Sequence, residues 1–369
     1  MRRNTFIRAA RQIKTFTGLQ DISDVSFIYF PHDQEIDPKL YKVITPQHQA
    51  PPQLISLDKV NISLKLMAET AKKNIAKFDD ITIYFEGGTG DYIMEADVVA
   101  VLLKKYPGKR FTILADPSRH CLLNLMLPND RVTLKPNSRP SKLQKAFIDL
   151  GNIVGMDYYI PPYGKTAAYA YIAGLDPKVD LTPIKISALE SKKKLALLFP
   201  DVAKSKKPII GLHTTSGNNN AKSWPVEMAP ELVKKLSNIN HDLLFLRFGG
   251  HGEKEINHEK VKECIGLPWD TVAALIKRCS LVVCIDSAIM HIATHSNIPA
   301  VTLWGPLRPE HILPTPLCVA PVIGACKSLF CGRYECNDKS CMKTISPDMI
   351  VEGVKKIWET APSARINIQ

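Results

Sequence analysis

Short continuous apolar runs alternate along most of this chain with longer stretches in which apolar residues recur every three or four positions. The first pattern marks buried strands and the second marks amphipathic helices. From about residue 60 the pattern predicts a helix over 62–77, a strand Ile81 to Phe85, a glycine turn, a helix over 92–105 and a strand Phe111 to Ala115, with further such units to about 190. A second series predicts a strand Ile209 to His213, a helix over 226–237, strands over 243–248, 281–285 and 300–304, helices over 270–278 and 289–295, and a last helix near 347–359. Strands alternating with helices imply βαβ units on parallel sheets, so two Rossmann-like α/β lobes facing a cleft are expected.

The ends of this pattern differ. Residues 1–16 read as a short basic amphipathic helix, with Phe6, Ile7, Ala10, Ile13 and Phe16 near one stripe. Its apolar stripe suits packing onto the protein's own core or a second copy, and a membrane surface is the alternative. Short apolar pieces at 25–30 and 54–57 flank a proline-rich segment, Pro46 to Pro52, and suggest a small β-rich extension over residues 1–60. The lysine-rich stretch Ser191 to Lys207 reads as an exposed hinge dividing a front lobe, 61–200, from a back lobe, 201–369.

Composition narrows the partners. Among 369 residues, 48 Lys and Arg face 36 Asp and Glu, a net charge of +12 that favours anionic ligands. Nucleic acid is disfavoured because the aromatic residues, 7% of the chain, do not interleave with the basic clusters. No apolar run reaches membrane-spanning length, and the N-terminus lacks the uninterrupted apolar block of an export signal. The expected location is the cytoplasm, with peripheral contact at the inner membrane.

Candidate chemistry falls at the predicted strand ends. The front lobe presents Gly87-Gly88-Thr89-Gly90-Asp91 directly after a strand and opening a helix. The glycines lack G-x-G-x-x-G spacing, and a carboxylate at Asp91 would repel a pyrophosphate, which argues against a dinucleotide site and a dehydrogenase. Asp91 suits a general base, with helix capping as the plain alternative. The back lobe follows its first strand with Thr214-Thr215-Ser216, a polar Asn-rich run, Lys222, Ser223, Trp224 and Pro225, a phosphate-cradle pattern. Further on come Arg247-Phe-Gly249-Gly-His251-Gly-Glu253, then Asp286-Ser287-Ala288-Ile-Met290-His291 after an apolar strand, and Trp304-Gly305-Pro306. Read singly, Asp286 caps a helix and His291 is a satisfied core imidazole.

Taken in order over roughly 80–360, these elements resemble glycosyltransferase family 9, the lipopolysaccharide heptosyltransferases, whose signature runs Asp-Thr/Ser-Gly-x-x-His, a Pro-bounded strand and aromatic-Gly-Pro. Ala288 stands where the family usually has glycine. The resemblance implies a GT-B fold and an inverting sugar transfer from a nucleotide sugar, ADP-heptose, to a hydroxyl of a bacterial glycan or protein. It implies Asp91 as base beside Gly88, Thr89 and Gly90 on the acceptor side. Lys222 is implied at the donor diphosphate and Glu253, rather than Glu255, at the ribose. Thr214, Thr215, Ser216, Asp286, Ser287, Ala288, Met290 and His291 complete the implied donor site. A catalytic metal is not expected, since the chain holds no Asp-x-Asp pair. Basic residues Lys135, Arg139, Lys142, Lys145 and Lys165 are candidates for receiving an anionic acceptor, or plain solvated surface.

Cys326, Cys331, Cys336 and Cys341 are evenly spaced in a loop beyond the pocket, a set able to hold structural zinc or iron, although the spacing departs from paired Cys-x-x-Cys knuckles. Free thiols and disulfides are the alternatives. The family branch that glycosylates autotransporter proteins is similar in placing iron on such cysteines and in forming large rings, which implies a homo-oligomer. Two other classes stay open from residues alone: a non-catalytic nucleotide-binding subunit of envelope assembly, and a metal-centred redox or nucleic-acid protein.

Overall fold

The apolar runs are buried on both sides, as parallel strands flanked by helices must be. The computed structural model describes residues 41–42, 55–138, 146–153, 164–217, 220–312, 319–332 and 336–360. The expected helix at 1–16, the apolar piece at 25–30 and the segment 46–52 lie outside them. Tyr41–Lys42 (β1) pairs antiparallel with Ile55–Ser56 (β2), and the helix Leu57–Lys77 follows at once, starting earlier than the 62 expected.

The front lobe is a four-stranded parallel sheet of Asp80–Tyr84 (β3), Arg110–Ala115 (β4), Val132–Pro136 (β5) and Phe147–Asp149 (β6), in the order β5-β4-β3-β6. The back lobe is a six-stranded parallel sheet of Ile209–His213 (β7), Leu244–Gly249 (β8), Val261–Ile265 (β9), Leu281–Ile285 (β10), Ala300–Trp304 (β11) and Val319–Ile323 (β12), in the order β12-β11-β10-β7-β8-β9. In each sheet the chain winds outward in one direction and then returns to the other side of its first strand. That reversal opens a crevice at the strand C-termini, between β3 and β6 in front and between β7 and β10 behind. Both functional loops emerge there: 86–91 after β3, and 214–222 with 286–288 after β7 and β10.

The lobes meet along the helices Thr89–Lys105 and Ala288–His295. His295 Nε2, buried, lies 2.9 and 3.0 Å from the two Asp97 carboxylate oxygens, and its Nδ1 lies 2.7 Å from the His291 carbonyl. Asp97 Oδ1 also accepts the Ile184 N–H at 3.1 Å. This buried hydrogen-bonded pair across the seam keeps both helices in one register.

The lysine-rich stretch is largely exposed, as expected, but it is helical rather than an irregular hinge. It forms the helices Ala188–Leu198 and Pro200–Lys204, the first of which packs on Trp269–Ile276 of the back lobe. Leu195 and Val202 are buried among the surrounding lysines, and Lys194 pairs with Asp270 as Lys262 does with Asp201. The apolar anchors of this segment are too sparse for periodicity to outweigh its charge.

Candidate active site

In the front lobe the turn after β3 is shaped around one carboxylate. Gly87 has φ +114°, and a Cβ there would stand 2.6 Å from Asp91 Oδ2, so only glycine lets the side chain fold back over the turn. Oδ2 accepts the Gly88 N–H at 2.8 Å, the helix-capping bond weighed above. Oδ1 accepts two more donors from the helix Lys165–Ile172: Lys165 Nζ at 2.8 Å and the Tyr169 hydroxyl at 2.9 Å. The Asp91 side chain is 15% exposed. Burial by itself would raise its pKa, but the adjacent Lys165 ammonium and the three donors outweigh it and hold the carboxyl below its ordinary value.

One turn further along the same helix, Glu95 is fully buried, and its Oε1 receives only a long bond from the Glu86 N–H, 3.4 Å. Burial, reinforced by the Asp91 and Asp149 charges, drives the Glu95 pKa well above the carboxylate range. Two carboxyls one turn apart are thus pushed in opposite directions, Asp91 toward the anion and Glu95 toward the neutral acid.

In the back lobe the crevice between β7 and β10 holds the lysine. Lys222 Nζ lies 2.8 Å from Asp286 Oδ2, with side chains 20% and 8% exposed. Trp224 explains the position of that loop: its ring is fully buried, its indole N–H donates to the Ile345 carbonyl at 2.8 Å, and its backbone N–H donates to the Thr214 carbonyl at 2.8 Å. Ser287 precedes the first turn of the helix Ala288–His295, and its hydroxyl lies 3.1 Å from His213 Nδ1. Burial lowers the His213 and His291 pKa values to about 4, so both imidazoles are neutral near pH 7. The Ser216 N–H donates to Ser223 Oγ at 3.0 Å, which closes the cradle on itself.

The two halves touch. A Cβ on Gly90 would stand 3.0 Å from His291 Cδ2, 3.2 Å from Nε2 and 3.9 Å from the Ala288 nitrogen. Two helix N-termini, one from each lobe, therefore converge, and their aligned peptide dipoles favour negative charge at the junction. Gly88 is the N-cap of the front helix, with Thr89 buried beside it.

Several expected residues sit differently. The Met290 side chain is wholly in the core and its N–H donates to the Ser287 carbonyl, so Met290 supports the helix. The Thr214 side chain is also buried. Glu253 is engaged by its own lobe: Oε1 accepts the Gly250 N–H at 2.7 Å, while Oε2 takes the fully buried Arg247 at 3.1 Å and the Thr215 hydroxyl. Arg247 also reaches Glu263, on β9, at 3.0 Å. Lys165 belongs to Asp91 rather than to a basic surface; Lys135 is exposed, and Arg139, Lys142 and Lys145 lie outside the described residues.

Of the four cysteines, Cys326 and Cys331 both stand near Cys341. Among the described residues no group of three or more His, Cys, Asp or Glu is arranged to hold a metal ion. Cys331 and Cys341 are buried, the Cys341 thiol is hydrogen-bonded to Cys326, and burial pushes it up to about 12. Cys336 Sγ instead accepts the Lys339 N–H at 3.3 Å, and the Cys336 N–H donates to Asn220 Oδ1 at 3.0 Å. The loop thus buttresses the lysine cradle.

Sequence reasoning missed Tyr169, Glu95, Asp97 and His295. Only the i, i+4 spacing of Lys165 and Tyr169 hinted that both serve one target.

Two parallel-sheet lobes with a crevice at each switch point, joined at two helix N-termini, make up a GT-B architecture. A solved glycosyltransferase family 9 protein from Veillonella parvula superposes on 77% of this chain and 98% of its own, with TM-score 0.58 and 15% identity. The iron-containing dodecameric glycosyltransferase TibC from enterotoxigenic E. coli H10407 superposes on 76% of this chain and 78% of its own, with TM-score 0.58 and 16% identity. TibC has also been solved in complex with ADP-D-beta-D-heptose, TM-score 0.56. Residues 166–339 match the model of glycosyltransferase family 9 (heptosyltransferase). Over those residues, just under half of its length, the chain is similar to glycosyltransferase family 9. Among curated relatives, lipooligosaccharide heptosyltransferase 2 of Campylobacter jejuni is 27% identical over 178 residues, 44% of this chain and 56% of that protein. The matched stretch thus spans about half the length of that relative.

Proposed function

We propose that this protein is an inverting glycosyltransferase that moves a heptosyl group from ADP-heptose to a hydroxyl of a bacterial glycan or protein. The observation that carries this reading is the junction of Gly90 with His291, flanked by the Asp91 carboxylate in one lobe and the Lys222–Asp286 pair in the other.

In the proposed reaction Asp91 accepts the proton as the acceptor O–H bond breaks. The acceptor oxygen bonds to the anomeric carbon, and the bond to the diphosphate breaks on the opposite face. The leaving electron pair stays on the phosphate oxygen, facing Lys222 and the N-terminus of the helix Ala288–His295. Base and counter-charge on opposite faces give inversion. Asp286 holds Lys222 until a diphosphate competes for it. Ala288 narrows the approach of that diphosphate by one methyl group relative to glycine.

The chain contains no helix, among the described residues, long and apolar enough to cross a membrane. We propose a cytoplasmic reaction at or near the inner membrane, with the basic net charge drawing in anionic donor and acceptor. The test is incubation of the purified protein with ADP-heptose and two acceptors, heptose-deficient lipopolysaccharide core and an autotransporter passenger protein. Mass spectrometry should find one added heptosyl residue on one of them together with released ADP. Tight ADP-heptose binding with neither transfer nor donor hydrolysis would instead favour a non-catalytic nucleotide-binding subunit.

A further inference from the structure

Lys165 and Tyr169 lie 74 and 78 residues from Asp91 in sequence, yet both bond the same oxygen of its carboxylate. A carboxylate offers about four acceptor directions. Gly88, Lys165 and Tyr169 occupy three of them, one on Oδ2 and two on Oδ1. We propose, building on the reading of Asp91 as the base, that Lys165 is the positioning residue of the reaction: with Tyr169 it clamps Oδ1 so that the remaining direction on Oδ2 is the single place where the acceptor hydroxyl can deliver its proton.

The geometry supports a clamp rather than a chance ion pair. Lys165 is itself buried, at the first turn of the helix Lys165–Ile172, and Tyr169, fully buried, stands one turn below it on the same face. A buried ammonium needs a fixed anion, and a buried carboxylate needs a fixed cation. Each therefore holds the other in one rotamer. Lys165 is preceded by Gly164 at φ +85°, a conformation that lets the chain enter the helix beside the glycine turn.

The groups facing Asp91 come from three directions. Lys165 and Tyr169 approach from their helix, Glu95 lies one turn along its own helix with Glu86 and Asp149 beyond it, and neutral His291 faces it from the other lobe. Lys165 is the one nearby cation among these, so its removal leaves burial and the neighbouring acids to act on Asp91 alone. The lysine charge also gives the cycle its return step. After transfer the protonated Asp91 sits beside an ammonium, which favours loss of that proton to water once the product leaves. No co-reactant beyond water is required.

The experiment is carbon-13 NMR titration of the full chain labelled at aspartate carboxyls, with Asp91 assigned from its absence in Asp91→Asn. In the native protein the Asp91 signal should stay in its ionised position from pH 8 to pH 5. In Lys165→Met it should titrate about 1 to 3 pH units higher than in the native protein. Lys165→Arg should restore most of the native behaviour, and Tyr169→Phe should give a smaller upward displacement. Should Lys165→Met fail to fold, the Tyr169→Phe and Lys165→Arg arms still decide. An Asp91 signal unmoved in Tyr169→Phe, and in Lys165→Met where that folds, overturns the proposal. The readout needs no acceptor, so its failure is separate from that of the catalytic reading, which Asp91→Asn turnover decides alone.

Discussion

Gly90 and His291 belong to different lobes, yet a Cβ built on Gly90 would stand 3.0 Å from His291 Cδ2. The front turn and the donor-side helix are therefore in van der Waals register, and the crevice is organised around that contact. Gly90→Ala should push the imidazole aside, because tightly packed positions yield only by displacement. The expected outcome is a loss of about 1–3 kcal/mol of stability, with turnover falling while each lobe keeps its own ion pair. Thermal melting and steady-state kinetics check it.

The Lys222–Asp286 pair makes a second prediction. Lys222→Ala removes the counter-charge for the leaving diphosphate and should lower kcat/KM by about 10²- to 10³-fold, as loss of one preorganised donor does. Asp286→Asn should instead free the lysine and weaken transfer less. Kinetics on both variants, with ADP-heptose binding by calorimetry, separates the two roles.

The seam between lobes rests on Asp97 and His295. Breaking a buried pair by removing one partner costs about 3–5 kcal/mol. Asp97→Ala should therefore lower the melting temperature more than substitution of an exposed carboxylate such as Asp79, and proteolysis should become faster near residues 184–187, which bond to both partners.

Buried histidines and Glu95 give opposite pH signatures. His213 and His291, lowered to about 4 by burial, bind protons in the unfolded chain before the folded one. Their contribution is present above the unfolded value of about 6.5 and is lost as pH falls from there toward 4. Glu95, raised by burial well above its ordinary value, works the other way, since its neutral folded form is disfavoured as pH rises above the unfolded value. Glu95→Gln should raise the melting temperature more at pH 8 than at pH 5. Melting curves of the native protein and Glu95→Gln across that range check both signs.

Much of this fold was legible from pattern. The strands Ile209–His213, Leu281–Ile285 and Ala300–Trp304 fall where continuous apolar runs place them, because a strand buried on both faces leaves no polar ambiguity. Edge strands β9 and β12 were missed: Val261–Ile265 carries Lys262 and Glu263, and Val319–Ile323 contains Pro321, both tolerated at a sheet edge. The loops carrying Asp91 and Lys222 were legible as strand-to-helix turns with the right polar residues. What those side chains bond to was not, because Lys165, Tyr169 and His295 reach their partners only through tertiary packing. Nor does the even spacing of the cysteines say which thiols turn into the core: Cys331 and Cys341 are buried, while Cys326 and Cys336 are half-buried.

The central claim is that a front-lobe carboxylate takes the acceptor's proton while the back lobe holds the donor. Turnover of Asp91→Asn with ADP-heptose and the acceptor found by mass spectrometry, measured beside donor affinity, tests it most directly. Turnover should drop by about 10²- to 10⁴-fold with donor affinity nearly unchanged. Turnover that stays at the native level would contradict it.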